Sequence, residues 1–168
     1  MKPPSDLASP RGIRQRLREL QRGAKKGLGQ HFLVDRDALR SMVGAAQLTK
    51  EDTVLEVGPG LGVLTRELIK EAGRVIAVEI DPQLARNLQE ELQNADNVQV
   101  ICADILSLDL AQVFSSAESY KVVAALPYFI ASRILRYFLE APVKPSLIVI
   151  TVQREVGENI AAKPGDTT

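Results

Sequence analysis

Cysteine and histidine occur once each, as Cys102 and His31, and tryptophan does not occur at all. A single cysteine excludes a disulfide framework, and one histidine beside one thiol argues against a protein-only metal site. Aromatic residues make up 4% of the 168 residues, and 21 lysines and arginines balance 21 aspartates and glutamates. No global charge therefore selects a partner. No apolar run approaches the roughly 20 residues that a membrane helix needs. The opening MKPPSDLASP has no hydrophobic stretch of the kind a secretory signal carries, so a cytoplasmic location is expected. What is present, 45% hydrophobic and 25% charged residues, suffices for one globular domain with a sizeable core.

The zero net charge conceals an asymmetry. Residues 1–40 carry ten lysines and arginines against four acids, and residues 41–168 carry the compensating acidic excess. Arg11, Arg14, Arg16, Arg18, Arg22, Lys25 and Lys26 fall within 16 positions. Such a block can meet a polyanion, and it can equally be a solvated tail. Residues 1–9, rich in Pro and Ser, are expected to be disordered. Ser9-Pro10 then reads as a helix start, with Ile13, Leu17 and Leu20 on one face.

Beyond Gly23, Gly27 and Gly29, a helix is expected after Asp35 or Asp37, and from there the chain alternates. Strands are expected at Thr53–Val57, Arg74–Glu79, Val98–Ile101, Lys121–Ala125 and Ser146–Val152. Helices fall between them at about 63–72, after Asp81-Pro82, and at about 130–140, where Ile134, Leu135, Phe138 and Leu139 stack on one face. Continuous apolar strands separated by helices imply a parallel sheet covered on both faces. The expected fold is a doubly wound α/β domain with its ligand site at the carboxyl ends of the strands.

Four segments at those ends carry chemistry. Gly58-Pro59-Gly60-Leu61-Gly62 ends the first strand, with Glu56 two residues before it; alternate glycines let backbone approach a ligand closely. The spacing is not the G-x-G-x-x-G of dinucleotide sites and better suits a methionine-type zwitterion. Glu79, ending the second strand, can accept both hydroxyls of a ribose. Asp104, after the third, is placed to accept from an adenine amino group. Each acid alone reads equally as a helix cap or a solvated charge; together, in order, they point to an adenosine-bearing ligand. Ala125-Leu126-Pro127-Tyr128 ends the fourth strand, where a carbonyl can face an amine and Tyr128 can stack on a base lifted from its helix. Alternatively it is a strand-ending Pro turn with a core Tyr.

Taken with Gln30-His31-Phe32-Leu33, Glu79-Ile80-Asp81, Ala103-Asp104 and Gln153-Arg154-Glu155 ahead of Ala162-Lys163-Pro164-Gly165, these motifs resemble the ribosomal RNA adenine dimethyltransferase family. The resemblance covers roughly residues 25–168. It implies a Rossmann-like methyltransferase sheet that uses S-adenosylmethionine to dimethylate N6 of two adjacent adenines in small-subunit ribosomal RNA, a step of ribosome biogenesis. It implies that His31 and Leu33 line the cofactor pocket, that Gly58 and Gly60 approach the methionine end, and that Glu79 meets the ribose and Asp104 the adenine. Residue 125 would bridge cofactor and target amine, with Leu126, Pro127 and Tyr128 completing the catalytic loop. The partner would be the RNA or a pre-ribosomal particle, with no metal and no membrane. Residues 1–24 would form a basic, partly disordered extension and 25–168 an incomplete cofactor domain, lacking its last strands and a C-terminal helical domain.

Two departures bear on activity, the missing C-terminal part, which is expected to reduce RNA affinity, and residue 125. The family pattern is Asn-Leu-Pro-Tyr, and this chain has Ala125, which offers no side-chain acceptor to the target amine. Removing one such interaction costs about 10²–10³ in rate. The expected alternative is therefore a catalytically weak RNA- or ribosome-binding domain; within the enzyme class, the nearest rival is a large-subunit ribosomal RNA adenine methyltransferase. The latter shares the Gln-x-Phe-Leu start but more often carries a basic residue in its Gly-rich loop, which favours the small-subunit reading here.

Overall fold

The computed structural model describes residues 9–20, 35–114, 119–126, 128–152 and 154–162. Five parallel strands, β1 (Thr53–Val57), β2 (Arg74–Glu79), β3 (Val98–Cys102), β4 (Tyr120–Ala125) and β5 (Leu147–Thr151), form one sheet in the order β3-β2-β1-β4-β5. The helices are α1 (Pro10–Glu19), α2 (Arg36–Ala46), α3 (Val63–Glu71), α4 (Pro82–Glu91), α5 (Leu110–Val113), α6 (Tyr128–Glu140) and α7 (Arg154–Ala161), with a 3₁₀ turn at Ile105–Ser107. The strand order reverses at β1, which makes this the doubly wound arrangement expected from the alternating apolar pattern.

The pleat divides the core. Val54, Val75 and Val123 face α2 and α3, meeting Leu39, Met42, Leu64 and Leu68. Leu55, Val57, Ile76, Val78, Val122 and Ala124 face the other layer, where Ile134 and Phe138 of α6 pack with Leu110 and Phe114. The central strands are buried on both faces, whereas the edge strands β3 and β5 are partly open. Leu139, expected on the packed face of its helix, instead points outward with more than half its surface exposed; it follows Phe138 by one residue and so projects about 100° away around the helix.

Local chemistry sets the helix starts. The Ser9 side chain accepts from Gly12 N at 3.1 Å, Asp35 from Asp37 N at 2.8 Å and Asp81 from Gln83 N at 3.0 Å, each satisfying amides that a helix leaves unpaired. Ile13 and Leu17 of α1 pack on Leu61 and Leu84, so this helix lies against the glycine-bearing segment and α4.

Candidate functional site

Parallel register brings the chemistry-bearing residues to one level. Glu79 pairs with Cys102 and Ala125 with Thr151. Val57 pairs with Val78, and Glu56 with Val123, so one step and two steps further along, Gly58 stands between Glu79 and Ala125. A single row across the carboxyl edge of the sheet thus reads Cys102, Glu79, Gly58, Ala125, Thr151.

Above that row the chain from Gly58 to Gly62 turns back into α3. Gly58, Gly60 and Gly62 all adopt positive φ, at 69°, 57° and 74°, the left-handed region that L side chains rarely enter. Among the described residues, a Cβ built on Gly58 would meet nothing within 4 Å, which leaves space above the loop there. A Cβ on Gly62 would lie 2.4 Å from Leu88 Cδ1 and 2.6 Å from Arg66 Nη1. The first glycine faces open space, and the last is a close-packed joint.

Glu79 is the hub of the row. It is 5% exposed, and its carboxylate accepts from Gly60 N at 2.9 Å through one oxygen and from Asp81 N at 3.0 Å through the other. Burial raises its pKa, against these backbone donors, which favour the charged form. With Ile80 N also among the backbone donors that favour the charged form, the carboxylate still has acceptor capacity beyond them, so the group can accept a further hydroxyl while it holds the loop. Glu56, 2% exposed on the α3 side of β1, is pushed up to about 8 by burial; Glu79 adds to the rise, while Thr65 and the Arg66 guanidinium oppose it. Among the described residues, Glu56 Oε2 and the Thr65 hydroxyl complete no hydrogen bond of ordinary geometry.

The other expected positions are placed unevenly. Asp104 Oδ1 accepts from Leu106 N at 3.0 Å, so one of its oxygens caps the 3₁₀ turn. Ala125 is half-buried at the end of β4, against the α2–α3 layer. Leu126 is buried among the α6-side core residues, anchoring the loop by packing. Tyr128 begins α6. His31, Leu33 and Pro127 lie outside the described residues. Among the described residues no group of three or more His, Cys, Asp and Glu side chains could hold a metal, and no helix is long and apolar enough to cross a membrane.

Sequence reasoning missed a set of partly buried charges beside the loop. Arg66 Nη1 donates to the carbonyls of Leu61 and Gly62 at 2.9 and 2.8 Å. Its other nitrogen pairs with Glu91 of α4, which also pairs with Arg16 of α1. Arg16, read in the sequence as one member of a basic block, is 2% exposed, whereas Arg11, Arg14 and Arg18 point to solvent. The apolar face of α1 could have signalled this, because Arg16 follows Ile13 by three residues and so shares its face.

A doubly wound sheet, a glycine-rich first turn and a carboxylate ending the second strand define a domain of the Rossmann-like methyltransferase type. The sequence profile of ribosomal RNA adenine dimethylases matches residues 21–168, and the chain belongs to that family. A ribosomal RNA small subunit methyltransferase A of Dehalococcoides mccartyi is 52% identical over 143 residues, covering 85% of this chain and 49% of that protein. Among solved structures, the 23S rRNA methyltransferase ErmE superposes with a TM-score of 0.64 at 36% identity, over 74% of this chain and 48% of that one. A dimethyladenosine transferase from Plasmodium falciparum superposes with a TM-score of 0.67 at 26% identity, over 79% and 46%. The chain spans about half the length of the curated relatives it matches.

Proposed function

We propose that this chain forms the cofactor-binding, catalytic part of an S-adenosylmethionine-dependent methyltransferase that dimethylates N6 of adjacent adenines in small-subunit ribosomal RNA, free or in a pre-ribosomal particle. The observation that carries the reading is the row Glu79–Gly58–Ala125 beneath an open glycine loop, in a chain of the adenine dimethylase family. The residues present fit the cofactor. Gly58 leaves room for close approach, Glu79 retains acceptor capacity for ribose hydroxyls, and Asp104 stands two residues past the end of β3, at the cap of the 3₁₀ turn. His31 and Leu33 are assigned to the same pocket by the Gln-His-Phe-Leu resemblance. S-adenosylmethionine supplies an activated methyl group, so the protein's task is positioning more than acid–base chemistry. Gly58 and Gly60 admit the methionine end, and Ala125 to Tyr128 hold the target base. The small-subunit choice follows the relatives at 46–52% identity, which are small-subunit ribosomal RNA methyltransferases by name; the likeness to a 23S rRNA enzyme supports the shared chemistry but not that substrate.

RNA contact is assigned to α1, where Arg11, Arg14 and Arg18 are exposed and, at spacings of three and four, share one face. Ala125 favours a second reading, a domain that binds cofactor and RNA but turns over slowly, because its methyl side chain cannot accept from the target amine.

The test is a calorimetric titration with S-adenosylmethionine of the wild type and of Glu79→Ala. Saturable binding that the variant loses is expected. No binding by the wild type, or equal binding by both, would overturn the assignment of the site.

A further inference from the structure

Two independent sets of interactions tie α1 to the glycine loop. The first is apolar: Ile13 and Leu17 pack on Leu61, the loop residue between Gly60 and Gly62, and on Leu84 of α4. The second is a relay of charge. Arg16 Nη1 pairs with Glu19 at 3.0 Å, and Arg16 Nη2 donates to Asn87 Oδ1 at 2.7 Å and to one oxygen of Glu91. The other oxygen of Glu91 receives Arg66 Nη2, while Arg66 Nη1 holds the carbonyls of Leu61 and Gly62. One carboxylate therefore bridges two guanidiniums, and the far guanidinium grips the loop by its backbone.

Backbone bonds also run here, from Gly62 N to the Pro59 carbonyl at 2.8 Å and from Arg66 N to the Gly62 carbonyl at 3.2 Å, but among the described residues the side-chain hydrogen bonds to this end come from Arg66. Gly62 caps α3 with no side-chain hydrogen bond, and its positive φ is one of many conformations open to glycine. Glu79 holds the loop at Gly60, and Arg66 holds it at Leu61 and Gly62. Arg66 is in turn oriented by Glu91, which is set by Arg16 and Asn87. Removing the bridge leaves two cations, one of them buried, without their shared counter-charge, and the guanidinium on the loop is then free to leave its carbonyls.

We infer that Arg16, Glu91 and Arg66 are positioning residues that transmit the docking of α1 to the shape of the glycine loop, so that cofactor affinity depends on whether α1 is seated. The inference rests on the reading that this loop takes the cofactor. It differs from a general stabilising role in its reach, because the relay ends on the two carbonyls that lead from the loop into α3.

The test uses the 168-residue chain, with Glu91→Gln, which keeps shape and removes charge, and the milder Arg16→Lys, which keeps charge and loses the planar fork. Amide exchange without cofactor is followed at residues 58–66 and, as an internal reference, in β1 and β2; S-adenosylmethionine affinity is then titrated. Both variants should speed loop exchange while leaving the strands protected, and Glu91→Gln should weaken affinity about tenfold. Loop exchange that is unchanged, or that rises equally in the strands, would overturn the inference whether or not cofactor binds. A loosened loop with undiminished affinity would also overturn it. A wild type that takes no cofactor would overturn the proposed function and the affinity half of this inference together, leaving the exchange result to decide the relay.

Discussion

Adding one methyl group to the glycine loop should have opposite consequences at its two ends. Gly58 and Gly62 both sit at positive φ, 69° and 74°, so alanine at either position costs about 1–2 kcal/mol for left-handed backbone. At Gly58 no steric cost is added, since among the described residues its Cβ would meet nothing within 4 Å. At Gly62 the new carbon would lie 2.4 Å from Leu88 Cδ1 and 2.6 Å from Arg66 Nη1. Arg66 can swing away, but Leu88 is fully buried and cannot, which adds an overpacking cost of about 1–3 kcal/mol. Gly62→Ala should therefore lose about 2–5 kcal/mol and Gly58→Ala about 1–2. At roughly 2–4 °C per kcal/mol for a chain of this size, differential scanning calorimetry should separate the two melting temperatures by several degrees. Cofactor binding should reverse the order of severity. The Gly58→Ala methyl enters the open space above the row and should abolish detectable titration with S-adenosylmethionine, although that protein is the more stable of the two. Wild-type affinity in Gly58→Ala would refute the assignment of the open space to the ligand, and a lower melting temperature for it than for Gly62→Ala would refute the packing argument.

Further outcomes follow from the same geometry. Burial keeps Glu56 protonated up to about 8, against an ordinary value of 4.5, so folding takes up a proton between those limits and this group's contribution falls as pH rises through them. Glu56→Gln should flatten the decline, which is at most about 1.4 kcal/mol per pH unit for one group; urea unfolding of both proteins at about pH 5, 7 and 9 measures it, and parallel curves would contradict the burial argument. In a version carrying the remaining length of its relatives, Ala125→Asn should raise methyl transfer to small-subunit RNA by about 10²–10³, and an unchanged single-turnover rate would remove residue 125 from the chemistry. RNA affinity should fall steeply with salt, and replacing Arg11, Arg14 and Arg18 with glutamine should lower the slope of log K against log salt by about 0.7–0.9 for each phosphate no longer neutralised. An unaltered slope would place the RNA elsewhere. Gly73→Ala should destabilise strongly, because its Cβ would fall 1.9 Å from the Lys50 carbonyl oxygen, with calorimetric melting as the measure.

Much of this architecture was legible from pattern alone. β1 and β2 begin and end where the apolar runs TVLEV and RVIAVE do, because a strand buried on both faces admits few polar interruptions until it leaves the sheet. Ser9, Asp35 and Asp81 announce their helices because a cap interacts with amides two and three residues on. The short 3₁₀ turn, α5 and α7 were not legible. Four residues make too few turns for a period to show, and α7 buries no residue, so its formation leaves little imprint on which residues are apolar.

The site divides along the same line. Its membership was readable, since Gly58, Glu79, Asp104 and Ala125 each end or follow a strand and parallel strands must end on one side. What each side chain does there was settled by the folded geometry, in part through interactions between residues far apart in the chain. Glu79 gives one oxygen to Gly60, Asp104 caps its own turn, and Arg16 leaves the solvated block it belongs to by composition and is buried against Asn87 and Glu91, more than 70 positions away. Local sequence determines where a residue stands along its element and which face it can occupy. Whether a charge there is hydrated, paired or held in reserve for a ligand depends on what the other elements bring within about 4 Å, and only the folded chain decides that.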